Sequence, residues 1–539
     1  MFRSPAILVF ASLSLILSTA CKKKTTPVEN GITQQILHVG NGLELQELDP
    51  HIITGISEIK TLSALFEGLV GQAPEDLSPA PGLASSWDIS DDGKTYTFHL
   101  REGLTWSNQT PLTASDFSFS FKRMLNPKLG AANAYLLFVL KNAQSYYEGN
   151  AAWSEVGVRV ENDRTLILEL ENPTPYFLRL LSHPAWYPVP ENVLNQFGDP
   201  FGRATGWTRA GTLVSSGAFQ LVDWRINERL QMVRNPHYWD NDTTRLEEIY
   251  FYPTENREAE ERAYRGGQLH ITEAMPTSRV KHYREQNDPA LQIDPYLGTY
   301  YLQLNTHTKP LDDPRVRKAL SLVINRNLIT EKITQGGQKP AWHFTPPDTA
   351  GYTPPISGPE NEVEAKRLLN EAGFPNGENF PKLTYLYNTS ENHKAIAEAI
   401  QHTWQSSLGI QIELINQEWK VYTQSRESGQ FDILRSSWVA DYEDPISFLD
   451  VMSSKSGNNF TGWTSQDYDR LLDQSHGSTN QAARYELLGM AEELLIKEQP
   501  IIPLYFYTSV YLKHPAVKNY YPTLLNYHPW KHVYLGTEN

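Results

Sequence analysis

The spacing of apolar residues changes along this chain of 539 residues. Before about residue 296, every second residue is apolar in short runs such as 87–100 and 158–170, and this period predicts strands. Asp92-Gly93 interrupts the first run and is typical of a hairpin turn. After about residue 299, helical and strand periods alternate. Such alternation predicts parallel strands joined by crossover helices, and therefore an α/β fold in the second half.

The second half is regular enough for individual elements to be predicted. Asp313 and Pro314 are typical of a helix start, because aspartate caps the first turn and proline fits the first helical position. Proline inside an apolar strand favours a sheet edge, and Pro503 lies in such a run at 500–507. The other predicted elements are helices 360–372, 391–408 and 421–428, and strands 383–387, 410–416 and 431–436.

The first 35 residues predict a secretory leader and a tether. Residues 1–20 combine Arg3, a short apolar stretch and small residues before Cys21, which is typical of a signal peptide. Leu17-Ser-Thr-Ala-Cys21 resembles a bacterial lipoprotein lipobox, although Ser18 stands where leucine is usual. The resemblance implies acylation of Cys21, with 21–35 as a lipidated tether that holds the protein at a membrane. The alternative is an ordinary signal peptide followed by an unmodified cysteine.

Composition narrows the functional classes. The formal net charge is −15 without a long block of one sign, which argues against binding to nucleic acid or to an acidic membrane surface. Cys21 is the only cysteine, so no intramolecular disulfide can form. The sequence lacks the phosphate-loop, zinc-protease, nucleophile-elbow and dinucleotide motifs. We therefore expect no cofactor and no metal. Catalysis is not excluded, because a pair of carboxylates can act as acid and base without any local sequence motif.

An acidic segment in the last fifth of the chain is the strongest candidate site. Residues 435–450 place an arginine, a tryptophan and four acids among apolar residues. From the residues alone, three interpretations of Asp441, Glu443 and Asp444 stay open: a solvated acidic turn, an enzymatic acid pair, or an anchor for a ligand ammonium. A glycosidase pair would need two carboxylates about 5–10 Å apart. An anchor would need one carboxylate held in a cleft.

Eight short segments, in order and at compatible spacing, carry a family resemblance. They are Leu48-Asp-Pro-His51, Leu65-Phe-Glu-Gly-Leu69, Ser90-Asp-Asp-Gly-Lys-Thr-Tyr-Thr-Phe-His-Leu100, Arg234-Asn-Pro-His-Tyr-Trp-Asp-Asn241, Asp294-Pro-Tyr296, Tyr387-Asn-Thr-Ser390, Asn416-Gln-Glu-Trp-Lys420 and Ala440-Asp-Tyr442. Along essentially its whole mature length the chain resembles the periplasmic oligopeptide-binding proteins of ABC importers, which are extracytoplasmic solute-binding proteins of family 5.

The resemblance implies a hinged, two-lobed periplasmic-binding-protein fold with an extra third domain and mixed sheets flanked by helices. Chain crossings near 296 and 508 would form the hinge. The implied division is lobe I from 36–66, 191–296 and 509–539, the inserted extra domain from 67–190, and lobe II from 297–508. The implied protein is a monomer that binds short peptides outside the cytoplasm and delivers them to the transmembrane subunits of an ABC permease.

The resemblance also assigns charged site residues. Asp441 matches the acid that pairs with the α-ammonium of the peptide. Three residues, Arg435, Arg426 and His393, match cationic positions that can meet the peptide carboxylate. The length of the peptide would decide which of them does so. Arginine suits this role because its planar fork can bind a carboxylate with two hydrogen bonds. Glu443 and Asp444 are left as a turn without a ligand role.

Other matched positions would contact the peptide backbone or form pocket walls. An extended peptide bound as an added strand uses main-chain hydrogen bonds that every peptide shares, so broad specificity follows. The backbone contacts are expected from Gly55 and Ile56 on one side and from Ser437, Trp438 and Val439 on the other, and the walls from Trp419 and Tyr301.

Four departures from the family pattern accompany the resemblance. Gly298 and Val439 stand where some relatives carry a cysteine pair, in agreement with the single cysteine of this chain. Thr54 and Gln303 each replace an acid of the ligand site, which predicts a weaker preference for basic peptides. The alternatives to oligopeptide binding are a narrower solute, such as a dipeptide or a cell-wall peptide, a peptidase or glycosidase that uses the acidic cluster, and a receptor that senses peptide without import.

Overall fold

The computed structural model describes residues 25–203, 206–355 and 358–536. Two four-stranded sheets lie in the first half of this part of the chain. The first unit contains a mixed sheet, in the order Ile36–Gly40, Glu248–Tyr252, Arg229–Arg234 and Phe219–Arg225. The insert unit, our name for residues 67–190, contains an antiparallel sheet. Its strand order is Ala84–Ile89, Thr95–Leu100, Thr165–Glu169 and Val158–Asn162. The alternating pattern at 87–100 therefore forms a hairpin, as predicted, and the one at 158–170 forms a second hairpin where the sequence predicted only strand.

The third unit is built around a six-stranded mixed sheet. Its strand order is Lys339–Pro340, Ile501–Leu512, Leu291–Leu304, Ile433–Val439, Leu383–Asn388 and Ile412–Gln417. The last three of these strands are parallel to one another, which confirms the βα alternation predicted from the sequence. Two small two-stranded sheets pair Val70–Gln72 with Pro79–Pro81 and Val517–Lys518 with Tyr534–Leu535.

Helices cover the sheets. The helices of eight or more residues are Pro27–Gln34, Ile56–Leu65, Ala114–Met124, Arg257–Arg265, Thr277–Glu285, Pro314–Leu322, Glu362–Glu371, Glu391–Leu408, Trp419–Glu427, Gln466–His476 and Gln481–Glu498. Shorter ones are Ala143–Tyr147, Phe177–Leu180, Glu191–Leu194, Arg326–Leu328 and Ile446–Leu449. Within the described ranges, no helix is both long and apolar enough to cross a membrane.

Local signals explain where several elements begin and end. Helix Glu391–Leu408 has the bounds predicted from its pattern, and it ends because Gly409 adopts a left-handed conformation with φ of 72°. The side chain of Asp313 accepts a hydrogen bond from the backbone N–H of Arg315, which confirms the predicted helix start. Strand Ile433–Val439 ends three residues later than predicted, so it carries more of the candidate site.

One expectation from the sequence is wrong. Residues 21–35 do not form a tether throughout, because Pro27–Gln34 is a helix that is capped by Thr26 and Glu29 and buries Val28. The backbone N–H of Val28 bonds to the carbonyl of Gly267, which docks this helix on the first unit. Cys21 and the predicted signal segment lie outside the described residues.

Pro503 lies at a local edge of the sheet, as its position in an apolar strand predicts. Its strand, Ile501–Leu512, pairs with Leu291–Leu304 on one side. On the other side, the two-residue strand Lys339–Pro340 pairs only with Phe506 and Tyr505 and does not reach Pro503. The carbonyl of Pro503 instead accepts a hydrogen bond from Arg326 Nε at 2.9 Å.

Two long strands connect the first unit with the third. Leu291–Leu304 and Ile501–Leu512 are antiparallel, and Pro295 is the register partner of Thr508. The register shifts between Pro295 and Thr299, so the two chain crossings lie side by side at an irregular point of the ladder. An interrupted ladder bends more easily than a continuous one, which suits a hinge.

A buried polar cluster fixes the insert unit to the turn Leu48-Asp-Pro-His51. Arg123, on helix Ala114–Met124, donates from Nη1 to Asp49 Oδ1 at 3.0 Å and from Nη2 to Asp49 Oδ2 at 2.6 Å. Its Nη1 also lies 2.9 Å from His51 Nδ1, and His51 Nε2 lies 3.0 Å from the carbonyl oxygen of Tyr187. Arg123, Asp49 and His51 are almost completely buried.

Candidate functional site

A cavity of about 860 Å³ lies between the insert unit and the third unit. The insert unit lines it with residues between Ala132 and Leu180, and the third unit with residues between Trp438 and His476. Of the site residues predicted from the sequence, Trp438 and Asp441 line this cavity. It is therefore a cleft between separate units, at the end of strand Ile433–Val439.

Strand Ile433–Val439 has an unpaired edge at the residues expected to contact peptide backbone. Along one edge it pairs with Leu291–Leu304 over its full length. Along the other edge, the register with Leu383–Asn388 ends at Leu434. Beyond Leu434, the backbone groups on that side have no strand partner among the described residues. The carbonyl of Arg435 on this side accepts a hydrogen bond from the side-chain hydroxyl of Tyr422.

The register identifies which backbone groups face this free edge. The N–H of Ala440 donates to the carbonyl of Leu297 at 2.9 Å, so this pair is hydrogen-bonded toward the neighbouring strand. Hydrogen-bonded and non-hydrogen-bonded pairs alternate in an antiparallel ladder. Ser437 and Val439 must therefore direct their N–H and C=O groups to the opposite, unpaired edge. Trp438 instead fixes its own side chain by donating from Nε1 to the carbonyl of Ser447 at 2.6 Å.

Asp441 follows this strand and faces the insert unit. Its Oδ2 accepts a hydrogen bond from the hydroxyl of Tyr135 at 2.9 Å. Burial raises the pKa of Asp441 above its usual value, and the bond from Tyr135 opposes that shift. In the described part of the chain no cation forms an ion pair with Asp441. Its carboxylate is thus a partly desolvated acceptor without a positively charged partner.

Arg435 is a buried cation at the other end of the same strand. It donates from Nη2 to the hydroxyl of Tyr507 at 3.1 Å, and its guanidinium lies 4.6 Å from the ring centroid of Tyr300. Its Nε has no hydrogen-bond partner, and none of the described carboxylates forms an ion pair with it. A buried charge with only neutral neighbours retains a strong preference for an anionic partner.

His393 lies close enough to Arg435 to be affected by its charge, and it is neutral rather than the cation that the resemblance implies. Its Nδ1 is 3.3 Å from the hydroxyl of Tyr300, in the first turn of helix Glu391–Leu408. Burial and the charge of Arg435 lower the pKa of His393 to about 3. At neutral pH this ring can therefore donate one hydrogen bond to a carboxylate but does not add a charge.

The charges of Arg435 and Arg426 both act on Tyr422, where they oppose the rise in pKa that burial causes. Arg426 lies in the last turn of helix Trp419–Glu427, over the ring of Phe460 at 4.8 Å, and its Nε has no partner. Trp419, at the start of this helix, is 53% exposed and stacks on Tyr422. An exposed indole beside an open strand edge is compatible with a pocket wall.

The remaining predicted positions lie on rigid elements. Tyr301 is only 1% exposed and packs edge to face on Phe344, so its ring belongs to the core in this structure. Gly55 caps helix Ile56–Leu65, and Ile56 is 51% exposed at its first position. A Cβ atom at Gly55 would meet the Glu58 carboxylate, so a larger residue here would require that side chain to move.

The two acids that follow Asp441 are paired, which excludes a solvated turn. Asp444 is 4% exposed and accepts two hydrogen bonds from Arg484, at 2.9 and 2.7 Å. Glu443 accepts a hydrogen bond from Arg179 at 2.5 Å. With both neighbours engaged in this way, Asp441 has no free second carboxylate beside it in the sequence for acid–base chemistry.

The sequence predicted no role for Tyr135, the residue of the insert unit that contacts Asp441. It lies 306 positions from Asp441, and nothing in its local pattern marks it. No group of three or more His, Cys, Asp or Glu residues in the described ranges could hold a metal ion. What the site offers is an open strand edge between an unpaired carboxylate and a buried, unpaired guanidinium.

Fold and site together define the class as a two-lobed, extracytoplasmic solute-binding protein. The sequence matches the family "Bacterial extracellular solute-binding proteins, family 5 Middle" over residues 78–460. The chain therefore belongs to this family of binding proteins, which serve transport.

Individual relatives agree. The chain is 37% identical to the periplasmic murein peptide-binding protein MppA of Escherichia coli, over 95% of this chain and 94% of that protein. It is also 37% identical to the periplasmic oligopeptide-binding protein OppA of Salmonella typhimurium, over 95% of each. The OppA of Haemophilus influenzae, solved in complex with the peptide RPPGFSPFR, superposes with a TM-score of 0.80 at 34% identity, covering 93% of this chain and 99% of that one.

Proposed function

We propose that this protein binds short peptides outside the cytoplasm, encloses their extended backbone between its two lobes, and delivers them to an ABC permease. Ser437 and Val439 provide main-chain hydrogen bonds to the peptide, Asp441 pairs with its α-ammonium, and Arg435 with His393 meets its carboxylate. The ranges that move against one another are lobe I, with its insert at 67–190, and lobe II at 297–508.

The free strand edge beside Asp441 carries this proposal. A peptide added to that edge satisfies the backbone groups of Ser437 and Val439 irrespective of its side chains. Its ends carry opposite charges, and the site presents Asp441 and Arg435 in the complementary order. Each charge of the protein is partly or fully removed from water, so a ligand that supplies both counter-charges gains more than one that supplies either alone.

Ligand identification tests the proposal directly. The protein is purified under native conditions, denatured, and the released small molecules are analysed by mass spectrometry. A mixture of intact peptides is the expected result, and a single non-peptide solute contradicts it. Incubation with added peptides or oligosaccharides separates binder from enzyme, because turnover of either would identify hydrolytic activity of the acidic segment.

Neutral peptides are expected to bind at least as tightly as lysine-rich peptides of the same length. Thr54 is exposed and uncharged, and Gln303 is 1% exposed and donates to Ser436 Oγ at 3.1 Å, so neither supplies a carboxylate to a basic side chain. Isothermal titration calorimetry with matched tri- and tetrapeptides measures this preference. Tighter binding of the lysine-rich series would contradict it.

A cell-wall peptide is a second candidate ligand. The murein peptide-binding relative is as similar to this chain as the oligopeptide-binding relatives are. Competition between a murein tripeptide and an alanine tripeptide in the same calorimetric experiment distinguishes the two: a strong preference for the murein ligand would favour the narrower function.

We also propose that Cys21 is acylated and that the protein acts as a lipid-anchored monomer. The lipobox-like segment before Cys21 supports the anchor. The helix Pro27–Gln34 begins close to Cys21 in the sequence, so the anchor would lie near the first unit. Mass spectrometry of the mature amino terminus and of a Cys21→Ser variant tests the modification.

A further inference from the structure

Beyond the contact of Asp441 with Tyr135, the next two residues of the third unit also reach the insert unit. Tyr442 stacks on Tyr176, with ring centroids 4.9 Å apart and planes inclined by 10°. Glu443 Oε2 accepts a hydrogen bond from Arg179 Nη1 at 2.5 Å, and the two side chains form an ion pair. Each successive side chain of this short segment therefore crosses the cleft.

Tyr176 occupies a slot that the third unit provides. Its ring lies between Tyr442 and the guanidinium of Arg484, which is 5.5 Å from the ring centroid. Asp444 holds this guanidinium with two hydrogen bonds. Tyr176 is 7% exposed, although it belongs to the insert unit. Opening of the cleft would expose the ring and leave the slot empty, whereas the Arg484–Asp444 pair would stay intact inside the third unit.

The carboxylate of Glu443 is likewise held in place by a residue of the third unit. Its Oε1 accepts from the backbone N–H of Ala350 at 3.2 Å, so its carboxylate is oriented without Arg179. The Glu443 side chain is 12% exposed and that of Arg179 is 27% exposed. Because both side chains can regain water when the cleft opens, this pair stabilises closure rather than the fold of either unit.

We propose that Tyr176 and Arg179 of the insert unit, with Tyr442 and Glu443 of the third unit, form an interlobe latch that sets the population of the closed form. The latch adjoins Asp441, so peptide binding and closure are stabilised within one continuous surface. This inference rests on the proposed peptide binding only for its role. For a ligand that binds only the closed form, the apparent affinity is the intrinsic affinity multiplied by the fraction of protein that is closed. A stronger latch raises this fraction, and it therefore raises the affinity and slows release.

The variants Arg179→Gln and Glu443→Gln test the latch in the peptide-free, full-length protein. Each is expected to lower the ratio of closed to open form about threefold to tenfold, because each leaves a partly desolvated partner. Small-angle X-ray scattering and distance measurements between labels on the two lobes report this ratio. The double variant should lower this ratio little further than either single variant does, because both substitutions break the same ion pair. Lys141→Gln, which breaks the exposed pair with Glu169 inside the insert unit, is the matched control.

Tyr176→Leu provides an independent measurement, because its contribution comes from stacking and burial. It should open the protein at both low and high salt, whereas the effect of Arg179→Gln should shrink at high salt. An unchanged ratio in all three variants would overturn the latch, even if the wild type binds peptides. A shifted ratio in a protein that binds no peptide would instead refute the proposed function and leave the latch standing.

Discussion

Replacing Asp441 by asparagine is expected to weaken the binding of peptides with a free amino terminus by about 100-fold, which corresponds to about 3 kcal/mol. The substitution keeps the shape of the side chain but removes the charge that would pair with the ammonium. Tyr135 can still donate to the amide oxygen of the variant, so the site should keep its geometry. Calorimetry with one peptide in free and N-acetylated forms separates the effect of losing the charge pair from the effect of any change in the shape of the site.

The N-acetylated peptide should bind the wild type and the variant with nearly equal affinity, because it carries no ammonium. Asp450→Asn is the matched control, since Asp450 also lines the cavity but is engaged with His476. Equal loss for both peptides would show that the substitution damages the site. No loss for the free peptide would refute the anchor.

The same anchor predicts a pH dependence. Burial raises the pKa of Asp441 in the peptide-free protein, and an ammonium beside it would lower that pKa. Binding then requires the ionised carboxylate, so affinity should fall as the pH drops through the raised pKa of the free protein. The Asp441→Asn variant should lack this part of the profile.

The sequence predicted those features that depend on local pattern. Helix Glu391–Leu408 has a complete apolar stripe and a terminal glycine, and its bounds were predicted correctly. The helix Pro27–Gln34 was missed although Thr26, Pro27 and Glu29 form a readable capping signal. A polar composition suggested a tether, but the segment buries Val28 and Gly31, and the backbone of Val28 and Gln35 bonds to the first unit.

The site itself depends on contacts that no local pattern encodes. Family resemblance singled out Asp441 and Arg435, and in the structure each is partly or fully removed from water and forms no ion pair with the residues that the structure describes. Tyr135 and Arg179 come from the insert unit, more than 250 positions away from their partners. Their contacts follow from the way the insert unit faces the third unit, which only the assembled fold reveals.

The largest loss of stability is expected from Arg123→Met, at about 3–5 kcal/mol in the free energy of unfolding. This substitution leaves Asp49 as a buried carboxylate without its partner, and it removes a hydrogen bond to the ring of His51. It also removes the bond from Arg123 Nε to the carbonyl of Pro200. Denaturant titration measures the change. Lys366→Met, which breaks an exposed pair with Glu362, should alter stability by no more than about 0.5 kcal/mol.

Acidification should weaken the same cluster in two stages. Burial and the charge of Arg123 lower the pKa of His51 to about 4, whereas the ring takes up a proton near pH 6.5 in the unfolded chain. Between these values the unfolded state binds the extra proton, so stability falls as the pH drops from about 6.5 to 4.

Asp49 accounts for the second stage. Burial alone would raise its pKa, but the charge and hydrogen bonds of Arg123 hold it below the usual value. Its contribution is therefore present above about pH 4 and is lost as the pH falls through the lowered pKa. In Arg123→Met the pKa of Asp49 should rise, because burial is then opposed mainly by the hydrogen bond from the backbone N–H of His51. A stability profile of the variant that parallels the wild type at acid pH would show that this ion pair does not hold the insert unit in place.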